Sequence, residues 1–174
     1  AAELRTLLSL LGKEQPQEDM HAWNVENIFK GSISRDDAKK RIFAWLYNPE
    51  SKDRLCEKFY DRETIINKYY NGTKVTTPFG KEIESQERTA LNYIIQSTCA
   101  ENVLKQMIKV SNYLKGTKSH VAFPIHDSIV LDLSVEDKER LPELLEIFSQ
   151  TDLGKFKVNV SVGTNFGNLK KLEV

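Results

Sequence analysis

Arg35, Lys39, Phe43 and Tyr47 recur at a strict four-residue interval in the segment RDDAKKRIFAWLY. On a helix, side chains four apart lie one above another on nearly the same face. The stripe is therefore two fixed cations followed by two aromatic rings. A nucleoside triphosphate has that order: a polyanionic tail, a sugar, a flat base. A solvated basic face running into two core aromatics has it too. The second chemical signal is His126-Asp127 between two short apolar runs. It is a turn-borne carboxylate of the kind that holds Mg²⁺ for phosphoryl transfer. Aspartate also forms turns with no further role. Apolar flanks favour the cation, because a partly desolvated carboxylate needs a partner.

The elements that must position these groups are legible from periodicity and capping. Residues 3–12 read as a helix with Leu4, Leu7, Leu8 and Leu11 on one side and Gly12 at its end. Asp19 to Phe29 forms a second helix, closed by Gly31. Ser34 with Asp37 reads as a capping box for the helix carrying the stripe. That helix hides Ala38, Ile42, Trp45 and Leu46, and stops because Pro49 disfavours helix at Asn48. Residues 50–70 are charged and helical in pattern, Asn71-Gly72 makes a turn, and Lys74 to Phe79 is a short strand broken by Pro78 and Gly80. The longest periodic segment is 86–114, with Leu91, Ile94, Ile95, Val103, Leu104, Met107 and Ile108 as its expected buried side and Gly116 beyond its end. Val121–Ile125 and Ile129–Leu133 form a hairpin about His126, Asp127 and Ser128. Ser134 and Asp137 suggest another capping box, opening a helix to about Ser149. Phe156, Val158, Val160 and Val162 alternate as a final half-buried strand. The expected class is α+β: a small antiparallel sheet backed by long helices.

Composition sets bounds. The 174 residues suffice for one core, or for two small lobes sharing one. Forty per cent hydrophobic and 29% charged residues are ordinary for a soluble globular protein. No apolar run approaches the roughly 18 residues that span a bilayer, and no signal peptide is visible, so the expectation is a cytoplasmic protein with no membrane contact. Cys56 and Cys99 fit no metal spacing and read as free thiols in a reducing compartment. The 25 basic and 25 acidic residues cancel. Nucleic-acid enzymes usually carry a basic surplus, because counterion release from phosphates drives binding. Neutrality is tolerable where the cations are focused in one cleft, or where another polypeptide carries most of the duplex grip.

Arg-x3-Lys-x3-Phe-x3-Tyr resembles motif B of the family A (DNA polymerase I-like) DNA polymerases, and the resemblance extends to both sides. Ala2-Glu3-Leu4-Arg5 is similar to the tail of motif A, which in the family reads Asp-Tyr-Ser-x-x-Glu-Leu-Arg. Glu18-Asp19-Met20-His21 resembles the Glu-Asp-Ile-His segment that follows it. Glu87-Arg88-Thr89-Ala90-Leu91-Asn92 with Ile95-Gln96 resembles the Glu-Arg-x-x-x-Asn-x-x-x-Gln helix, and Ile125-His126-Asp127 resembles motif C. Five motifs stand in the family's order over nearly the whole chain.

The resemblance implies a polymerase palm over residues 1–13 and 73–174, with a shortened fingers subdomain over 14–72 between them. It implies template-directed DNA synthesis on a primer-template from dNTPs with two Mg²⁺ ions, and Asp127 as a metal ligand. Asp127 and Lys39 are the implied catalytic residues. Arg35, Lys39 and His21 are implied to meet the triphosphate, Phe43 the base or sugar, and Tyr47 the template side beside Glu3. Glu3 is implied to exclude a 2′-hydroxyl, and Phe43 in place of Tyr implies discrimination against nucleotides lacking a 3′-hydroxyl. Arg88, Asn92 and Gln96 are implied to touch primer and template in the minor groove, where acceptor positions are shared by all base pairs, and His126 to meet the primer terminus. Without the resemblance, Arg88, Asn92 and Gln96 read equally as the polar side of an amphipathic helix, and His21 as a surface histidine.

Three departures qualify these expectations. The aspartate that opens motif A would stand just before Ala1, Ser128 replaces the Glu that usually follows His-Asp, and Asn48 replaces the Gly after the motif B Tyr. The expectation is therefore an enzyme inactive as an isolated chain. An upstream polypeptide, carrying the thumb and the motif A aspartate, would complete it, through either a cut chain or a split gene. The short segment from Tyr47 to Glu87 points to a phage or plasmid-like lineage, hence host cytoplasm. Two alternatives remain. A single-subunit RNA polymerase fragment suits His-Asp-Ser, but not Glu3, Phe43 or the Arg88/Asn92/Gln96 helix. A non-catalytic DNA-binding or processivity subunit suits the missing aspartate and the neutral charge, but not the retention of Arg35, Lys39, Phe43 and Asp127.

Overall fold

The computed structural model describes residues 1–173. Five short or medium helices come first: α1 (Ala2–Leu10), α2 (Met20–Asn27), α3 (Arg35–Tyr47), α4 (Arg54–Tyr60) and α5 (Arg62–Tyr69). A hairpin of β1 (Lys74–Thr76) and β2 (Glu82–Glu84) leads into the long helix α6 (Glu87–Tyr113). Then come the hairpin β3 (His120–Ile125)–β4 (Ser128–Asp132), a 3₁₀ turn (Val135–Arg140), α7 (Leu141–Ser149), and two small hairpins, β5 (Gln150–Thr151)–β6 (Gly154–Lys155) and β7 (Val160–Val162)–β8 (Lys170–Leu172). The class is α+β, as expected. Among the described residues the strands form four separate antiparallel pairs rather than one small sheet. Val174, the last residue of the expected palm segment, lies outside the described residues.

Two cores meet along α6. The larger joins Leu4, Leu7 and Leu8 of α1 to Ile42 and Trp45 of α3, Tyr60, Ile65, and Ile94 and Ile95 of α6, all at most 1% exposed. The smaller gathers Val110, Leu114 and Leu144, with Val121, Ile129 and Leu131 of the β3–β4 hairpin packed against them. Ser34 caps α3, its hydroxyl accepting from the Asp37 amide at 3.1 Å, but the expected reciprocal bond is replaced: the Asp37 carboxylate takes the Ser34 hydroxyl at 2.7 Å and not its backbone N–H.

Several local expectations are corrected. Leu104 and Ile108 are 44% and 57% exposed. The buried face of α6 instead runs through Thr98, Asn102, Gln106 and Val110. Gln106 goes inside because its amide donates to the carbonyls of Ile147 at 2.6 Å and Gln150 at 2.7 Å, closing the end of α7. Asp137 caps no helix: its carboxylate takes the Ser119 hydroxyl at 2.7 Å and the Lys118 amide at 3.1 Å, while Ser134 accepts from Glu136. The segment 50–70 breaks at Asp61, which adopts φ 46° between α4 and α5. The first strand stops at Thr76, and the final alternating run pairs only over Val160–Val162, with Ser161 and Val162 exposed.

Pro49 ends α3, and Arg62 finishes it. Its guanidinium donates to the carbonyls of Trp45 at 3.3 Å, Asn48 at 3.4 Å and Ser51, pairs with Glu57 at 2.7 Å, and lies 5.2 Å from the Trp45 ring centroid. Glu57 in turn accepts from Trp45 Nε1 at 3.0 Å. A cation at carbonyls that have no partner within the helix satisfies them and complements the helix dipole. Arg62→Ala should destabilise the fold by roughly 2–4 kcal/mol, since carbonyls and a carboxylate lose their partner together. Arg62→Lys should recover less than half, because a point charge cannot fork. Urea unfolding of the three proteins decides it, and a loss under about 0.5 kcal/mol for Arg62→Ala would reduce this network to surface decoration.

Candidate active site

Helix α3 lays the stripe along one edge of the molecule. At its N-terminal end the Arg35 guanidinium makes a forked pair with Asp19, Nε to Oδ1 and Nη2 to Oδ2, both at 2.9 Å. Asp19 also caps α2, accepting from the amides of His21 at 3.1 Å and Ala22 at 2.9 Å. Arg35 first, and then the Ala22 amide, hold its carboxyl well below the usual carboxylate range against the opposing effect of burial. Lys39, one turn on, is exposed and has no ion-pair partner among the described residues. Phe43 and Tyr47 stack at 5.7 Å between centroids with 12° between planes, and the His21 ring tilts onto Phe43 at 5.8 Å. His21 is 7% exposed, and its buried Nδ1 has no partner. Burial pushes its pKa down, helped by the cations Arg35 and Lys39, against Asp19. The imidazole is therefore neutral at physiological pH.

Tyr47 joins this wall to α6. Burial raises its hydroxyl pKa, the Glu3 carboxylate raises it further, and the nearby Gln96 amide works the other way. Glu3 of α1, Tyr47 of α3 and Gln96 of α6 thus converge. On the far side of Tyr47 a cleft of about 300 Å³ is lined by Leu46, Tyr47, Pro49, Arg62, Arg88 and Asn92, among others. Asn92 Oδ1 is buried there without a hydrogen-bond partner. Arg88 and Gln96 are exposed, one and three turns into α6.

His126 and Asp127 form the two-residue turn of the β3–β4 hairpin, both exposed, with His126 at φ 50°. The Ser128 hydroxyl donates back across the turn to the Ile125 carbonyl at 2.9 Å. Cys99 marks where this turn meets the rest. Its thiol, 3.1 Å from the Thr6 hydroxyl, is pushed up to about 12 by burial first, then by the nearby carboxylates of Glu3 and Asp127. Asp127 offers one hard oxygen donor suited to Mg²⁺, yet among the described residues no three His, Cys, Asp or Glu side chains are grouped to hold a metal. No hydrogen bond, ion pair or ring contact joins the His126 side chain to the other site residues among those described.

The structure therefore brings together His21, Phe43 and Tyr47 as a chain of rings, Glu3, Tyr47 and Gln96 at one junction, and Tyr47, Arg88 and Asn92 along one cleft. Sequence reasoning gave Asp19 no role. Its place as an N-cap is readable from residue type, but its partner lies sixteen residues on, across a turn. Cys99 also went unassigned.

Residues 47–170 match the model of DNA polymerase family A. That region carries Tyr47, the Arg88/Asn92/Gln96 helix and the His126-Asp127 turn. The chain belongs to that family. DNA polymerase I of Borreliella burgdorferi is 25% identical over 112 residues, covering 62% of this chain and 12% of its own length. The m7GpppX diphosphatase of Caenorhabditis elegans is 20% identical over 156 residues, covering 87% and 45%, a likeness too faint to imply a shared activity. Among solved structures, the POL domain of Pol1 from M. smegmatis in complex with DNA primer-template and dNTP superposes with a TM-score of 0.65 at 18% identity. That match covers 85% of this chain and 35% of that one, and it shows a shared fold. The chain spans less than half the length of these relatives.

The thiols test the packing at this junction. Only the thiolate alkylates, and an ordinary cysteine near pKa 8.5 is substantially ionised at pH 8. Cys56 and Cys99 are both pushed up to about 12, chiefly by burial. Iodoacetamide at pH 8 should therefore label neither in the native protein and both in 8 M urea, as read by intact mass. Rapid native labelling of Cys99 would open the α1–α6–hairpin junction to solvent.

Proposed function

We propose that this chain is the C-terminal palm and fingers part of a DNA polymerase, transferring nucleotides from dNTPs to a primer 3′-hydroxyl. The observation that carries the proposal is the cation-then-aromatic order of α3, with Phe43 and Tyr47 stacked and the His21 ring against Phe43, within a chain of family A. The palm comprises residues 1–13 and 73–174, and the fingers 14–72.

The roles follow from position and charge. Arg35 and Lys39 hold the triphosphate, the first as a planar fork and the second as a point charge, beside the positive end of α3. A neutral His21 donates or accepts a hydrogen bond there without adding repulsion between cations. Phe43 presents a ring face to the base or sugar, and Tyr47 closes the stack towards the template cleft. Glu3, at the start of α1 beside Tyr47, fills the space that a ribose 2′-hydroxyl would need. Arg88, Asn92 and Gln96 follow primer and template along α6, and His126 meets the primer end. Asp127 supplies one ligand to Mg²⁺, which when bound acidifies the primer hydroxyl and neutralises the triphosphate. A second carboxylate comes from an upstream polypeptide that also supplies the thumb. A zero net charge fits a chain that shares its duplex grip with such a partner. No described helix is long and apolar enough to cross a membrane, and the cytoplasm, or that of a phage host, is the proposed location.

Primer extension tests this directly. The chain alone should extend no primer, and with an upstream polypeptide ending in the motif A aspartate it should. In the complete enzyme, Asp127→Asn should abolish synthesis without unfolding the protein, a cost of several kcal/mol of transition-state stabilisation. More than a tenth of the wild-type rate would return Asp127 to a turn former. Lys39→Ala should weaken nucleotide use by roughly 2–4 kcal/mol, as for a lost charge-assisted phosphate contact in a closed site.

Sugar choice separates DNA from RNA synthesis. Steric exclusion acts through overlap, so Glu3→Ala should raise ribonucleotide incorporation by about an order of magnitude, a change of roughly 1.4 kcal/mol, with less effect on deoxynucleotides. Competition between the two sugars in one extension assay measures it. A wild type that prefers ribonucleotides would favour an RNA polymerase. An unresponsive Glu3→Ala would leave Glu3 as a charge complementing the helix dipole.

A further inference from the structure

We propose that Asp19 is a positioning residue for the polyphosphate wall, fixing the Arg35 guanidinium edge-on so that its outer N–H groups are aimed before a triphosphate arrives. This rests on the reading of the α3 stripe as a triphosphate site. A guanidinium carries five N–H donors. Asp19 takes one from Nε and one from Nη2, leaving both on Nη1 and the second on Nη2. Nη1 stands 3.6 Å from the Asp36 carboxylate, beyond hydrogen-bond reach, so that outer edge is uncommitted. The end-on edge is the one that matches two oxygens of a phosphate.

Asp19 can do this because it is itself held. The side chain of Arg5, 5% exposed, donates to the carbonyls of Pro16 and Glu18, the latter at 2.8 Å, and so pins the segment just before it. Asp19 Oδ1 is tied to two amides of α2. The same carboxylate therefore sets the start of α2, and with it His21, whose buried ring lies against Phe43. One aspartate thus registers the wall's guanidinium and imidazole against each other. A free arginine would lose rotamer entropy on meeting a phosphate, and a pre-aligned one has already lost it. The cost is a neighbouring negative charge, which weakens attraction to a polyanion. Asp19 is useful only if alignment outweighs that repulsion.

The chemistry of the cap separates positioning from simple structure. Asn caps a helix about as well as Asp, so Asp19→Asn should keep α2 and the melting temperature while losing the charged fork to Arg35. Titration of wild type, Asp19→Asn, Arg35→Ala and the double variant with Mg-dATP by calorimetry forms a complete cycle. Arg35→Ala and Asp19→Asn should each weaken binding by about tenfold, the size of a lost charge-assisted contact. The double variant should be no weaker than Arg35→Ala alone, because Asp19 acts only through Arg35. Should Asp19→Asn lower stability, that non-additivity still reads the coupling. Equal binding by wild type and Arg35→Ala, or none by wild type, overturns the triphosphate reading and this inference with it. Binding lost in Arg35→Ala but unchanged or tightened in Asp19→Asn, or additive losses in the double variant, overturns this inference alone.

Discussion

A single 27-residue helix has to serve two hydrophobic cores at once. At about 1.5 Å per residue, α6 is roughly 40 Å long, and no one apolar cluster of this chain covers it. Ala90, Leu91, Ile94 and Ile95 belong to the α1–α3–α5 core, and Val110 and Leu114 belong to the core beneath α7 and the hairpin. Because the helix is one rigid rod, side chains on its exposed faces hold fixed spacing to elements at both ends. Arg88 and Asn92 are thereby registered against Tyr47 at one end, and the β3–β4 hairpin against Val110 and Leu114 at the other. A break in α6 would separate the carboxylate of Asp127 from the ring stack of α3.

The stretch between the two cores explains what the sequence hid. Apolarity alone places Leu104 and Ile108 inside and Gln106 outside. The molecule does the reverse, because Gln106 is the group that can answer the carbonyls at the end of α7. A buried amide with carbonyl partners costs little, whereas unpaired carbonyls cost a great deal. Local pattern carries no trace of that demand, since the carbonyls belong to a helix more than forty residues downstream. Asp137 misled for the same reason. Its distance from Ser134 fits a capping box, but the Lys118 amide and the Ser119 hydroxyl compete for the carboxylate and win. By contrast α3 was legible to the residue, because its cap, its stripe and its terminating proline are all local. The order of cations and rings along the stripe was legible too, and its long-range restraint through Asp19 was not.

Charge follows the same division between local and distant. The chain is neutral as a whole, yet its cations are not spread evenly in use. Arg5, Arg41 and Arg62 are consumed internally, by carbonyls, by Asp53 and by Glu57. Their work is structural, closing loops and helix ends that positively charged side chains satisfy well. Lys39, Arg88 and the outer edge of Arg35 are left facing outward. Lys40, Lys52, Arg54, Lys58 and Lys115 are exposed without an ion-pair partner among the described residues as well, so what distinguishes the α3 donors is their spacing along one helix and not their number. Such an arrangement favours one bound geometry over long-range attraction.

The hairpin tip shows how sharply that geometry is set. A two-residue turn allows few backbone conformations, and His126 takes one with positive φ that ordinary residues seldom occupy. Glycine would adopt it without strain. The Ser128 hydroxyl bonding to the Ile125 carbonyl closes the turn from the other side. Further down, the ladder slips between Val121 and Phe123, so the register is pinned at a bulge as well as at the tip. Asp127 is held between these two constraints with its side chain in solvent. Two-residue hairpin turns call for positive φ at a central position, so the His126 conformation is what the tight connection itself demands. The tip thus holds the Asp127 carboxylate in solvent at the end of a strand pair packed against Val110 and Leu114, a placement that suits a turn former and a metal ligand alike.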